Sequence, residues 1–161
     1  MAAAIAGAAA AGGGAGAIAP FPVTVGYTYA AACPAAGYAD GVDDWGMYEC
    51  NCTSYAAWAL ARNSQRVDWF VAGRMDARNW PSVARAHGIA TGSAARVGAI
   101  AVWRYAAPPY GHLAYVDAVS GDGRFFVAEY NLLRRYSFDR RGWLSPRGVV
   151  FVYVPYGRGS G

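Results

Sequence analysis

Two of the chain's three cysteines stand in the stretch YECNCTSY, positions 48 to 55, where a single asparagine separates Cys50 from Cys52. Much further along come His112, in GHLAYV, and then Glu129 and Asn131, in AEYN. A cysteine sulfur is a strong nucleophile only as thiolate, and a nearby imidazole can take its proton. A carboxylate or amide beside that imidazole fixes its orientation and tautomer. Together these residue types suit attack on a carbonyl carbon, with the histidine protonating a leaving amine. Singly, each has a plainer reading. A cysteine ahead of a helix is usually an inert packing residue, a histidine at a strand start is usually hydrogen-bonded or solvated, and Glu129 has many arginines to pair with.

The cysteine count divides the three sulfurs. An odd number leaves at least one thiol free or paired elsewhere. Cys50 and Cys52 are poor partners, because a two-residue separation rarely brings the sulfurs into relaxed geometry. A Cys33–Cys50 bridge would close a loop of modest length, worth about 3 kcal/mol in the chain-entropy picture. It would leave Cys52 free and would imply an exported protein, and it is the expected arrangement. The alternative is three mostly buried thiols in a reducing cytosol.

These residues need elements to hold them. Asn51 is a good N-cap, and Cys52, Tyr55, Ala56, Ala59 and Leu60 follow at helical spacing, which places Cys52 in the first turn on the core face. A second helix is expected from an Asp76 cap through Trp80 and Ala84 to a stop at Gly88, kinked or broken at Pro81. His87, at its end, is expected to be solvated. Beyond it the period turns to alternation. Residues 97–103, 111–119, 124–131 and 148–154 have the β-branched and aromatic bias of strands. Helices first and strands after predict an α+β fold with an antiparallel sheet.

Gly-Asp-Gly at 121–123 signals a hairpin between two of these strands. A two-residue loop at Gly121-Asp122 or at Asp122-Gly123 pairs even positions of the first strand with odd positions of the second. His112, Ala114 and Val116 then share a face with Val127, Glu129 and Asn131. Asn131 lies opposite His112 in one register and diagonal to it in the other. Packing of the Cys52 helix on that face would bring thiol and imidazole together, and the positive helix end and an imidazolium would both favour thiolate.

Composition limits the alternatives. A chain of 161 residues, 55% hydrophobic, suits one domain with a real core. All fourteen basic residues are arginines, adjacent only at Arg134-Arg135 and Arg140-Arg141, so a nucleic-acid-binding stripe is not expected. Residues 1–26 begin as an almost pure alanine–glycine run, too weakly apolar for a membrane span and without the basic start of a secretory signal. They are assigned as a tether or degenerate signal region, with a single catalytic domain at 27–161; the end of a longer chain cut at this point is equally open.

The blocks DDWGMYECNCTSYAAWAL and RVGAIAVWRYAAPPYGHLAYVDAVSGDGRFFVAEYN resemble the cysteine- and histidine-dependent amidohydrolase/peptidase, or CHAP, family over roughly residues 42–154. Four separated blocks in family order are more specific than any one. The resemblance implies a papain-like α+β fold, with N-terminal helices packed on a twisted antiparallel sheet. It places the nucleophile on Cys52, the general base on His112, and on Glu129 and Asn131 the carboxylate and amide that orient the histidine or complete the site; Cys50 has no counterpart. The residue before the nucleophile, often Gln or Glu in relatives, is Asn51.

The implied activity is cleavage of an amide in bacterial peptidoglycan, either between muramic acid and L-alanine or within the stem peptide or cross-bridge. The implied setting is a secreted or wall-associated monomer with no organic cofactor. A silent wall-binding or adhesion module and an amidase of small glutathione-like conjugates are the competing expectations. Some phage members hold calcium near the nucleophile, but Asp40, Asp43 and Asp44 do not reproduce that spacing, so no metal is expected. Trp103, Tyr105, Tyr110 and Tyr115 are candidates to line a substrate groove, Tyr110 with Trp103 foremost. Loops 104–111 and 132–147 are expected to shape that groove.

Overall fold

The structure is a computed structural model that describes residues 22–34 and 41–157. Among these residues two α-helices, α1 (Cys52–Arg62) and α2 (Trp80–Ala86), precede six strands. The strands are β1 (Thr91–Gly92), β2 (Ile100–Trp103), β3 (His112–Val119), β4 (Phe125–Tyr130), β5 (Phe138–Leu144) and β6 (Val150–Val152). They form one antiparallel sheet in the order β1-β6-β2-β3-β4-β5. The fold is the expected α+β type, helices against an antiparallel sheet.

α1 forms where the apolar period placed it, with Asn51 as N-cap in extended conformation. The second helical segment is split, as Pro81 requires. A 3-10 turn over Ala77–Asn79 runs into α2, whose first turn accommodates the proline. α1 packs on β3 and β4, and α2 on β6. The core between helices and sheet gathers Tyr55, Ala56, Ala59, Leu60, Trp69 and Trp80 with Ile100, Val102, Leu113, Tyr115, Ala128 and Tyr130. A smaller cluster of Ala101, Ala114, Val116, Phe125, Val127 and Phe151 covers the other face.

This division corrects the expected packing. α1 lies on the Leu113 and Tyr115 face, and alternation along β3 puts His112, Ala114 and Val116 on the opposite one. The hairpin also differs. Val119 pairs with Phe125 and Ser120 N–H bonds to Arg124 O, which leaves a three-residue loop of Gly121, Asp122 and Gly123. Gly123 has φ +82°, the left-handed position such a loop demands. A bulge between Val116 and Ala118 then absorbs one residue, so that Val116 pairs with Val127 and Tyr115 with Ala128. The even-to-odd relation is restored at the His112 end because the two departures cancel.

β5 occupies part of the 132–147 segment expected to be a loop. Its sequence, FDRRGWL, carries three charges and a glycine, the composition of an edge strand.

The segment before the first cysteine is fastened to α1. Residues 22–26, assigned to the tether from composition, contain Val23, whose N–H donates to Asn63 Oδ1 at 2.7 Å, and Thr24, whose carbonyl accepts the Tyr55 hydroxyl at 2.6 Å. Residues 1–21 of that tether lie outside the described residues. Tyr27 reaches across to accept the Cys50 N–H at 3.1 Å and to meet Ser54 Oγ at 2.5 Å. Cys33 and Cys50 are joined by a disulfide, and Cys52 is the free thiol.

Candidate active site

Cys52 opens α1, so its sulfur sits among the unpaired N–H groups of a first helical turn. The sulfur is half-buried. The His112 imidazole and the backbone N–H groups of Thr53 and Leu113 are the groups that act on it. Contact is made around the end of the sheet rather than across its face. His112 is the first residue of β3, where the N-terminal turn of α1 passes, so its ring meets a helix that packs on the other side of the strand.

The way into β3 is fixed by Gly111. Its φ is +81°, and a Cβ there would stand 2.8 Å from Arg78 N. The Arg78 N–H donates to Tyr110 O at 2.9 Å. The backbone ahead of His112 is thus clamped on the 3-10 turn before α2.

His112 is buried, at 2% exposure, and Glu129 is fully buried. His112 Nε2 lies 2.9 Å from Glu129 Oε2. With Nε2 directed to the carboxylate, the nitrogen left for the thiol is Nδ1. Glu129 is shared with Arg141 of β5, whose Nη2 donates to Oε2 at 2.9 Å and whose Nε donates to Oε1. The Arg141 guanidinium lies 5.0 Å from the centre of the Trp103 ring, and that ring is 6.0 Å from the His112 ring. Trp103, His112, Glu129 and Arg141 therefore form one connected group.

Arg141 was not expected from sequence, because a strand with that composition reads as loop. The general abundance of arginines near Glu129 was the one signal, and it gave no position.

The electrostatics favour charge separation. Burial pushes the Cys52 thiol up, but the His112 charge, its hydrogen bond and the two backbone N–H groups outweigh it and leave the thiol below its ordinary value. Burial would lower His112, yet the Cys52 thiolate and the Glu129 carboxylate raise it to about 9. Burial raises Glu129, and the hydrogen bonds from His112 and Arg141 more than reverse this. The resting pair is thiolate and imidazolium, titrating as a coupled unit.

Asn131 departs from the expected place. It follows β4 with φ +61°, and its Nδ2 donates to Asn51 Oδ1 at 2.6 Å while its Oδ1 accepts the Tyr136 N–H at 2.8 Å. It thus braces the residue before Cys52 and not the His112 ring. Asn51 makes no side-chain cap bond to α1; its Nδ2 donates to Glu49 O at 3.2 Å.

Of the aromatic candidates, Tyr105 and Tyr110 are exposed, at 88% and 61%, and Trp103 is half-buried. Tyr115 cannot line a groove. It is fully buried in the helix-side core, with its hydroxyl donating to Gln65 Oε1 at 2.6 Å. His87 is exposed at the end of α2, with Nδ1 2.9 Å from Val83 O. A cavity of about 370 Å³ lies beside the site, lined by Arg78, Asn79, Arg104, Tyr105, Pro108 and Pro109.

Among the described residues the acids before Cys52 offer few free oxygens for a calcium ion. Asp40 lies outside the described residues, and Asp44 is exposed. Asp43 spends Oδ1 on the N–H groups of Trp45 and Met47, both at 2.9 Å, and keeps only Oδ2 buried without a partner. Calcium asks for about six to eight oxygens. Among the described residues no three His, Cys, Asp or Glu side chains gather where an ion could sit.

Comparison with known proteins identifies the family. A Streptococcus mutans protein with a provisional hydrolase name is 33% identical over 123 residues, which span 72% of this chain and 50% of that protein. An N-acetylmuramoyl-L-alanine amidase from Staphylococcus aureus shares the fold at TM-score 0.54 and 20% identity, over 65% of this chain and 30% of the amidase. The matched stretch thus spans about half the length of that S. mutans protein. The family model described as the CHAP domain matches residues 42–131, the stretch that runs from before the Cys52 turn through Glu129 to Asn131, and the chain belongs to the CHAP domain family.

Proposed function

We propose that the chain is a peptidoglycan hydrolase that cleaves an amide bond, with Cys52 as nucleophile and His112 as its proton partner. The bond lies between muramic acid and L-alanine or within the stem peptide or cross-bridge. The observation that carries this reading is the placing of the free Cys52 thiol, at the start of α1, beside an imidazole whose Nε2 is held by buried Glu129.

The chemistry follows from that contact. The thiolate attacks the carbonyl carbon and an S–C bond forms. Charge on the carbonyl oxygen is met by the free N–H groups at the start of α1. His112 passes its Nδ1 proton to the amide nitrogen, the C–N bond breaks, and the amine departs. Water then attacks the thioester and gives a proton to His112, which returns it to the leaving sulfur, so that the acid product and free Cys52 are regenerated. Glu129 holds the ring in one tautomer throughout, and Arg141 keeps Glu129 ionised and fixed.

Action outside the cytoplasm, as a secreted or wall-associated protein, is part of the same proposal, and the Cys33–Cys50 bridge supports it. Among the described residues no helix is long and apolar enough to cross a membrane.

Incubation with purified sacculi tests the proposal. New soluble amino groups at neutral pH are expected, abolished in Cys52→Ala and retained in Cys50→Ala. Binding to sacculi without amine release would point to a silent wall-binding module. Release from a glutathione-type amide but not from sacculi would point to small conjugates.

A further inference from the structure

The cavity beside the site contains neither Cys52 nor His112, yet its walls are tied to the end of β2 and to the entry into β3, the strand that carries His112. Arg104 directly follows Trp103, which is the register partner of His112 across β2 and β3. Arg78 is the residue whose backbone abuts Gly111, one step before His112. The two arginines are exposed, and among the described residues neither is paired with a carboxylate, whereas Arg66, Arg124, Arg134, Arg140 and Arg141 each are. Among the described residues no acid lines the cavity. Its other walls are Asn79, an amide, and the flat apolar surfaces of Tyr105, Pro108 and Pro109.

Two unpaired guanidinium groups on one small cavity make a site for an anion of matching planar geometry, and a carboxylate is the group that an arginine fork binds in two-point fashion. The volume, about 370 Å³, lies at the small end of the range for ligand pockets. The tyrosine and proline surfaces suit the peptide around that carboxylate, which a bare phosphate would leave unused. We propose that this cavity is a substrate subsite in which Arg78 and Arg104 bind a free carboxylate of the stem peptide. The subsite thereby selects stems that carry the acid over stems in which it is amidated. This rests on the peptidoglycan reading above, and its location at the His112 end of β2 and β3 sets the carboxylate a short distance from the scissile amide.

The test uses two synthetic muropeptides that differ only in stem carboxylates versus the corresponding carboxamides. Binding is measured by calorimetry on the full chain carrying Cys52→Ala, at low and high salt. The acid form is expected to bind about tenfold more tightly at low salt, with the margin shrinking as salt rises. The added double substitution Arg78→Gln and Arg104→Gln brings its affinity down to that of the amide. Both side chains are exposed, and an unchanged melting temperature checks that the variant is folded.

Equal affinity for the two peptides, a preference that survives loss of both arginines, or binding of neither overturns the proposal. Hydrolysis of the same pair by the unmodified chain separates the two readings. If neither is cleaved while the acid is still preferred in binding, the hydrolase reading fails and the subsite stands. If both are cleaved with equal kcat/KM and bound equally, the hydrolase reading stands and the subsite falls.

Discussion

Glu129 Oε2 stands 2.9 Å from His112 Nε2 inside the protein, and Arg141 holds the same carboxylate at both of its oxygens. A buried carboxylate with two cationic partners stays ionised, and the ring it orients keeps Nδ1 toward the sulfur. Replacement Glu129→Gln removes the charge and sets an amide against Arg141. A loss of kcat/KM on the order of 100-fold is expected, together with a lower basic limb in the pH profile, since Glu129 helps to raise His112. A purely structural role would reduce folded protein without moving that limb.

The pH dependence has a definite sign. Cys52 lies below its ordinary value, so thiolate forms at lower pH than in an ordinary thiol; His112 is raised to about 9, so imidazolium persists until then. Activity is expected to follow a bell whose basic limb falls near pH 9. Alkylation of Cys52 by iodoacetamide should already be fast at pH 7, where an ordinary thiol of pKa about 8.5 is mostly protonated. In His112→Ala the alkylation rate should rise only near the ordinary thiol value. A rate with the ordinary profile in the unsubstituted protein would contradict the ion pair.

Much of this grouping is legible in the sequence, for reasons that can be traced residue by residue. The spacing of Tyr55, Ala56, Ala59 and Leu60 placed Cys52 in a first turn, and alternation put His112 and Glu129 on one face. The side of the sheet chosen by α1 was not legible. His112, Leu113, Ala114, Tyr115 and Val116 are all buried, so β3 has no polar face to mark which side stays open. The extra residue in the Gly121–Gly123 loop and the bulge near Asp117 were equally silent, because Gly-Asp-Gly fits either loop length and bulges leave no reliable trace. Arg141 was hidden by the polar character of β5. Asn131 was misplaced because alternation was carried one residue past Tyr130, where the chain turns to positive φ.

Asn131 offers a separation of backbone from side chain. Its conformation, φ +61°, is tolerated by asparagine and glycine but costs alanine about 1–2 kcal/mol. Its amide links Asn51 to Tyr136 N. Asn131→Gly should lose the two hydrogen bonds, lowering stability by about 1–2 kcal/mol and kcat/KM with it, since Asn51 precedes the nucleophile. Asn131→Ala should be less stable still by the backbone cost. Equal stability of the two variants in urea denaturation would show that the conformation carries no strain.

The disulfide divides the cysteines in a way that thiol titration reads directly. Without reductant the denatured protein should present a single reactive thiol, that of Cys52, and three after reduction. The bridge spans a separation of 17 residues and ties the segment around Tyr27 to the turn before α1. Cys33→Ala with Cys50→Ala is expected to cost about 3 kcal/mol of unfolding free energy. Activity of the fraction that remains folded should persist, because the nucleophile is not a member of the bridge.

Gly111 tests whether the position of His112 depends on how the chain enters β3. Two independent costs meet there, a φ of +81° that an L side chain rarely adopts and a Cβ that would sit 2.8 Å from Arg78 N, a backbone atom that cannot swing away. Relief requires β3 and the 3-10 turn to part, which breaks the bond from Arg78 N–H to Tyr110 O and moves the next residue, His112, away from the Cys52 sulfur. Gly111→Ala should therefore lower stability by about 2–3 kcal/mol and reduce kcat/KM by more than the folded fraction accounts for. Gly121→Ala, at a hairpin glycine with nothing within 4 Å of the added carbon, should leave both near their original values. If Gly111→Ala lost stability but kept full activity per folded molecule, the clamp would serve the fold alone, and the thiol–imidazole contact would be set by the helix end without help from the 104–111 loop.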